Sequence, residues 1–204
     1  FIYTGTGAVA GLPASVTGEF EYSGGTAFLA GPTSYATLIV SGGTITASAV
    51  TVGTALNVSG GSLSTGANTL TLSGATNTVS GGTLTVASGG AIAAGANAVT
   101  VSATGALSLA GGTLTAGTVA LSNSSGTGTF ISASAPSVVN AVSVTIAGAV
   151  GTIASIGNIT WNLSGEADWS DSAFAGTWSA VGSGNIKYLA AGSTTPTLAS
   201  SHAL

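Results

Sequence analysis

Five carboxylates and one imidazole are the only side chains of this 204-residue sequence suited to acid–base work near neutral pH. Glu19 and Glu21 are spaced i and i+2, as are Glu166 and Asp168, with Asp171 close by. On a strand, each pair would share a face. Two carboxylates flanking a cleft are what glycoside hydrolysis requires, normally with polar or cationic partners that are scarce here. Glu166, Asp168 and Asp171 could together offer oxygen ligands to calcium, although no calcium-loop template surrounds them. The simpler expectation for both clusters is solvated acid on the surface. A Ser-His-Asp arrangement needs a fixed base, and the one histidine, His202, stands in a stretch expected to be mobile. Cysteine is absent, which removes thiol chemistry and leaves zinc without ligands. The expectation is a protein that is not an enzyme and carries no cofactor.

Other residues suggest binding rather than turnover. Trp161, Trp169 and Trp178 could stack on sugars, but in GNITWNLSG the residues Ile159, Trp161 and Leu163 share one strand face, which makes Trp161 a core residue. Sequons occur at Asn57, Asn123, Asn158 and Asn162, and a chain this rich in Ser and Thr produces some by chance. Asn158 and Asn162 alternate against the Ile159 face, and Asn57 alternates against Leu56 and Val58, so these three are expected to point outward, and all four, Asn123 included, are candidate glycosylation sites. Thr-x-Thr words at Thr44 and Thr46, Thr69 and Thr71, Thr83 and Thr85, and Thr113 and Thr115 would give outward threonine ladders like those of an ice-binding face, or ordinary β-branched strand surface.

Composition narrows the partners. One Lys+Arg against five Asp+Glu leaves a formal charge of -4, with Lys187 the lone cation. Nothing neutralises phosphates, so no nucleic-acid partner is expected, and a polybasic membrane contact fails for the same reason. Charged residues make up 3% where about 25% is usual, while 45% are apolar, which argues against disorder. Without charge, little repulsion keeps copies apart, a first pointer to self-assembly. Methionine is absent and the sequence opens on Phe1, as expected of a processed N-terminus after secretion.

These residues must be positioned by strands. SGG followed by hydroxyl, aliphatic and hydroxyl recurs as SGGTIT from Ser41, SGGSLS from Ser59 and SGGTLT from Ser80, with AGGTLT from Ala110, at separations of 18, 21 and 30. GANTLTLS from Gly66 is echoed by GANAVTVS from Gly95. Between the Gly-rich turns, Val50 and Val52, Leu70 and Leu72, Val99 and Val101, Leu107 and Leu109, and Val119 and Leu121 alternate with small polar residues. That is an all-β pattern. A β-sandwich is the alternative to a β-solenoid, but hairpin dipeptides such as Asn-Gly are missing and the same words return. In a solenoid like residues stack about 4.8 Å apart, so stacked charges would repel. Residues 22–165 contain no Asp, Glu, Lys, Arg or His, which favours a β-solenoid (parallel β-helix).

The ends read differently. Glutamates and aromatics collect in residues 1–35, and the tryptophans with most remaining charges in 158–204, so these are expected to be atypical caps or docking segments around a repetitive core at 36–157. The uncharged run from Val138 to Gly157 is long, but Val142, Val144 and Ile146 alternate against Ser143 and Thr145. Period two is a strand signal, so no membrane insertion is expected.

The GG-T-L-T words and the tail GEADWSDSAFAGTWSAVG resemble bacterial cell-surface β-helix proteins, namely autotransporter passengers and S-layer or filament subunits, over about residues 40–150. The resemblance implies a secreted protein serving adhesion or surface coating. No Asp follows a GG pair, so the calcium sites of nonapeptide-repeat β-helices do not carry over. The expectation is an extracellular structural protein that forms a homopolymer, a filament, sheath or surface layer. In it, the terminal coil, or the strand opening FIYTGTGAV, pairs with an open edge of the next copy, contributing main-chain bonds and inserting Phe1, Ile2 or Tyr3. The alternative is a surface adhesin or an ice- or glycan-binding solenoid, with surface glycans as partners.

Overall fold

A computed structural model of the chain describes residues 2–4, 15–29, 33–123, 129–148, 152–154, 159–164, 167–170, 177–181, 186–190 and 197–198, with side chains at 2–4, 15–29, 33–122, 131–145 and 159–164. The strands, in chain order, are β1 (Ile2–Tyr3), β2 (Ser15–Tyr22), β3 (Thr26–Leu29), β4 (Thr33–Val40), β5 (Thr44–Ala47), β6 (Val50–Val58), β7 (Ser62–Ser64) and β8 (Thr69–Leu72). Next come β9 (Thr76–Val79), β10 (Thr83–Ala87), β11 (Ala91–Ala93), β12 (Ala98–Ser102), β13 (Ala106–Ala110), β14 (Thr113–Asn123), β15 (Thr129–Ala135) and β16 (Ser137–Gly148). The last are β17 (Thr152–Ala154), β18 (Ile159–Leu163), β19 (Ala167–Ser170), β20 (Thr177–Val181), β21 (Ile186–Ala190) and β22 (Thr197–Leu198). No helix occurs among the described residues, and so none that is long and apolar enough to cross a membrane.

Every strand-to-strand ladder is parallel, and each strand pairs with its counterparts in neighbouring coils. The fold is therefore a β-solenoid, of about six turns. A seven-stranded sheet runs β3, β5, β7, β10, β13, β15, β17 and forms face 1. The fifteen-stranded sheet is divided lengthwise into faces 2 and 3. β6 pairs β8 through Val50–Val52 and β9 through Ala55–Val58, with the turn at Ser73–Ala75 between those partners. Parallel stacking continues on both sides of 36–157, through β2 and β1 at one end and β18 to β22 at the other.

Alternation makes the core. Leu84 and Val86 of β10 are buried while Thr83, Thr85 and Ala87 are partly exposed, and the same pattern holds in β12 and β13. Parallel register then stacks like on like: Ile45, Leu63, Leu84, Leu107 and Ile131 form one inward column of face 1. Each fully buried Leu or Ile contributes roughly 1.5–3 kcal/mol. At the N-terminal end the filling is aromatic, with Phe20 stacked on Tyr35 at 5.2 Å and Tyr3 on Tyr22 at 5.4 Å.

The coils are unequal. Thr26 pairs Thr44, Thr44 pairs Ser62, Ser62 pairs Thr83 and Thr83 pairs Ala106, so coil length grows from 18 to 21 to 23 residues. The added residues enter at corners, where asparagines tie them down. Asn68 Nδ2 donates to the Ala47 carbonyl at 3.4 Å, Asn97 Nδ2 to Leu72 at 3.1 Å, and buried Asn77 Nδ2 to Gly74 at 2.9 Å and Ala98 at 3.0 Å. The repeated words do not all stack on their copies. Those from Ser41, Ser59 and Ser80 lead into face 1, whereas Thr113 of the Ala110 word pairs Ala91 on face 2. The separation of 30 thus spans more than one coil, because the phrase encodes a tight corner followed by a strand and serves at two different corners.

Candidate functional site

The acids of the N-terminal end share one side of β2, as their spacing predicts. Glu19 is exposed, and Glu21 accepts a hydrogen bond from Ser41 Oγ in the next coil. Among the described residues no group of three or more His, Cys, Asp or Glu could hold a metal. At the other end Asp168 of β19 is in register with Lys187 of β21, while Glu166, Asp171 and His202 lie outside the described residues. Trp161 is fully buried, beside Ile159 and Leu163 in the core. Trp169 and Trp178 lie on β19 and β20.

Of the three residues expected to drive assembly, Ile2 and Tyr3 form β1 in register with Glu21 and Tyr22 of β2 in the same chain, and Phe1 lies outside the described residues. Tyr3 packs flat on Tyr22, while Ile2 is 62% exposed. Burial pushes the phenol of Tyr22 up, and Tyr3 adds to it. Burial does the same to Tyr35, partly offset by the nearby Thr33 hydroxyl, although the two hydroxyls do not meet hydrogen-bond geometry.

Of the sequons, Asn57 and Asn162 are half-buried at outward positions between buried neighbours. Asn123 ends β14, and Asn158 lies outside the described residues. Asn162 Nδ2 donates to Asn140 Oδ1 at 2.8 Å and Asn140 Nδ2 to Thr115 Oγ1 at 3.3 Å, a polar ladder across three coils. The spacing in sequence gave no sign of this ladder, since its members are 25 and 22 residues apart.

The hydroxyl words assemble into columns, but on two faces. Thr46, Ser64, Thr85 and Ser108 are in register on face 1, beside Thr44, Ser62 and Thr83. On face 2, Ser34, Thr51 and Thr71 form another column, and it passes into Ala93 before hydroxyls resume at Thr115. Thr69 and Thr71 are therefore separated from Thr113 and Thr115 by Ala91 and Ala93. Beside the Ser34 column lies an open recess of about 280 Å³, lined by Ser34, Ala49, Val50, Thr51, Thr69 and Thr71, with Thr33 also contributing. A small residue, Ala49, stands one place before Val50, which pairs Leu70, so it leaves the space beside Thr69 open.

No family model, no curated protein and no solved structure matches the chain.

Proposed function

We propose that this chain is a non-enzymatic structural protein of the cell exterior, a β-solenoid that self-associates into a filament, sheath or surface layer. The observation that carries the reading is the exterior itself: hydroxyl columns in strict parallel register, on a stretch from 22 to 165 without a charged side chain or histidine. Such a surface offers flat strands, hydrogen-bonding groups and little repulsion between copies. Contact is made at the ends of the sheets, where a further strand extends the ladder. β1 begins the fifteen-stranded sheet, and its exposed Ile2 supplies an apolar anchor for the strand of the next copy.

Negative-stain microscopy and sedimentation of the full chain, with and without residues 1–9, test this. The intact chain is expected to form ordered assemblies, and the shortened chain, if its circular dichroism stays β-rich, is expected to lose them. Assembly unaffected by the deletion would refute the role of the N-terminal strand, and a monodisperse monomer at high concentration would refute the structural reading as a whole.

A further inference from the structure

The recess on face 2 has features that self-association does not require. Its hydroxyl-bearing wall is built on three consecutive strands, since Ser34 of β4 pairs Thr51 of β6 and Thr51 pairs Thr71 of β8. Those side chains repeat about 4.8 Å apart on a fixed sheet, so they are oriented before anything binds. None of the Ser34, Thr51, Thr69 and Thr71 hydroxyls is bonded to another protein group among the described residues. Each is both donor and acceptor. Ala49 and the threonine methyls supply the apolar part of the wall. No charge lines the space, and the nearest carboxylates in sequence, Glu19 and Glu21, sit on the face-3 half of β2, in register with Thr37 and Ile39.

We propose that this recess is a binding site for one pyranose ring of a neutral glycan. A neutral ligand whose polar groups are mostly hydroxyls, with acceptor-only ring and glycosidic oxygens, matches four unengaged hydroxyls that can each donate and accept. A charged sugar or phosphate would find nothing to neutralise it. The volume sets the scale: about 280 Å³ corresponds to roughly nine waters at ~30 Å³ each, room for one ring and below the usual range for drug-sized ligands. Along the axis the hydroxyls stop on one side, where the two outward positions of the next coil are Ala91 and Ala93, and on the other side they continue into Ser15 of β2, in register with Ser34. The face-1 hydroxyls provide a built-in comparison, because they share the chemistry.

The test is an array of neutral and acidic oligosaccharides probed with the full chain, followed by calorimetric titration of the best neutral binder. Three variants are compared at equal circular dichroism: Ala49→Phe, which fills the recess from an exposed position, Thr51→Val, which removes a hydroxyl and keeps the shape, and Thr85→Val on face 1. Neutral glycans are expected to bind. Ala49→Phe and Thr51→Val should weaken binding at least tenfold, while Thr85→Val leaves it unchanged. Retention of no neutral glycan, preference for acidic ones, or wild-type affinity in Ala49→Phe would each overturn the proposal. Sedimentation of the same variants separates this outcome from the structural role: loss of glycan binding with assembly intact places the two on different surfaces.

Discussion

Gly61 occupies the corner into face 1 with φ +65, and a Cβ there would lie 2.5 Å from the Gly42 carbonyl carbon of the preceding coil. Gly95, at another corner, has nearly the same φ of +57, yet a Cβ there would meet nothing within 4 Å. The left-handed cost of an alanine, about 1–2 kcal/mol, is common to both. Their difference isolates the tightness of coil stacking. Gly95→Ala should lose about that amount in urea unfolding, and Gly61→Ala at least about 2 kcal/mol more, because main chain must move to relieve the contact. Equal losses would mean that the corners are not close-packed. The same crowding recurs at the glycines of the other SGG words, where a Cβ at Gly42, Gly60 or Gly81 would lie within 2.4 Å of a carbonyl oxygen of the preceding coil.

At the scale of an element, the outward columns explain the missing charges. Thr46, Ser64 and Thr85 are adjacent in register. One lysine among them is an ordinary surface substitution, within about 0.5 kcal/mol of neutral. Three would stack like charges about 4.8 Å apart, which costs about 1 kcal/mol per neighbouring pair in a water-like dielectric. The triple variant Thr46→Lys, Ser64→Lys, Thr85→Lys should therefore lose about 2 kcal/mol beyond the sum of the single losses at low salt. Most of that excess should vanish at 1 M salt, where the Debye length is about 3 Å. Additive losses, or an excess insensitive to salt, would remove stacking repulsion as the reason for the charge-free stretch.

For the whole molecule, stability is approximately a sum over coils and their interfaces. Thr44 pairs Ser62, eighteen residues on, and Gly43 and Gly61 have nearly the same φ at the same corner, +69 and +65. Removing residues 44–61 deletes one full coil and lets β7 take the place of β5 on β3. This shorter chain should keep its β-rich circular dichroism and a cooperative, somewhat lower melting transition. Removing only 44–52 leaves half a coil, which moves inward residues out of their columns, and should give an insoluble or unfolded product. Tolerance of both deletions would show that the coils do not act as units.

Much of the architecture was legible beforehand for a local reason. Whether Leu84 faces in and Thr85 faces out depends only on strand alternation, and the same holds for Trp161 in the core and for Asn57 and Asn162 pointing outward. The absence of charge likewise pointed to stacking before any register was visible. What only the tertiary structure decided is which coil stacks on which. Coil length varies through corner insertions held by Asn68, Asn77 and Asn97, so the nearly identical words at Ser80 and Ala110 fall on different faces. For that reason the Thr-x-Thr words divide between two faces, the Thr115, Asn140 and Asn162 ladder could not be foreseen, and the recess beside Ala49 was invisible. Alternation is a property of neighbouring residues, whereas register is set by the sum of every turn between two strands.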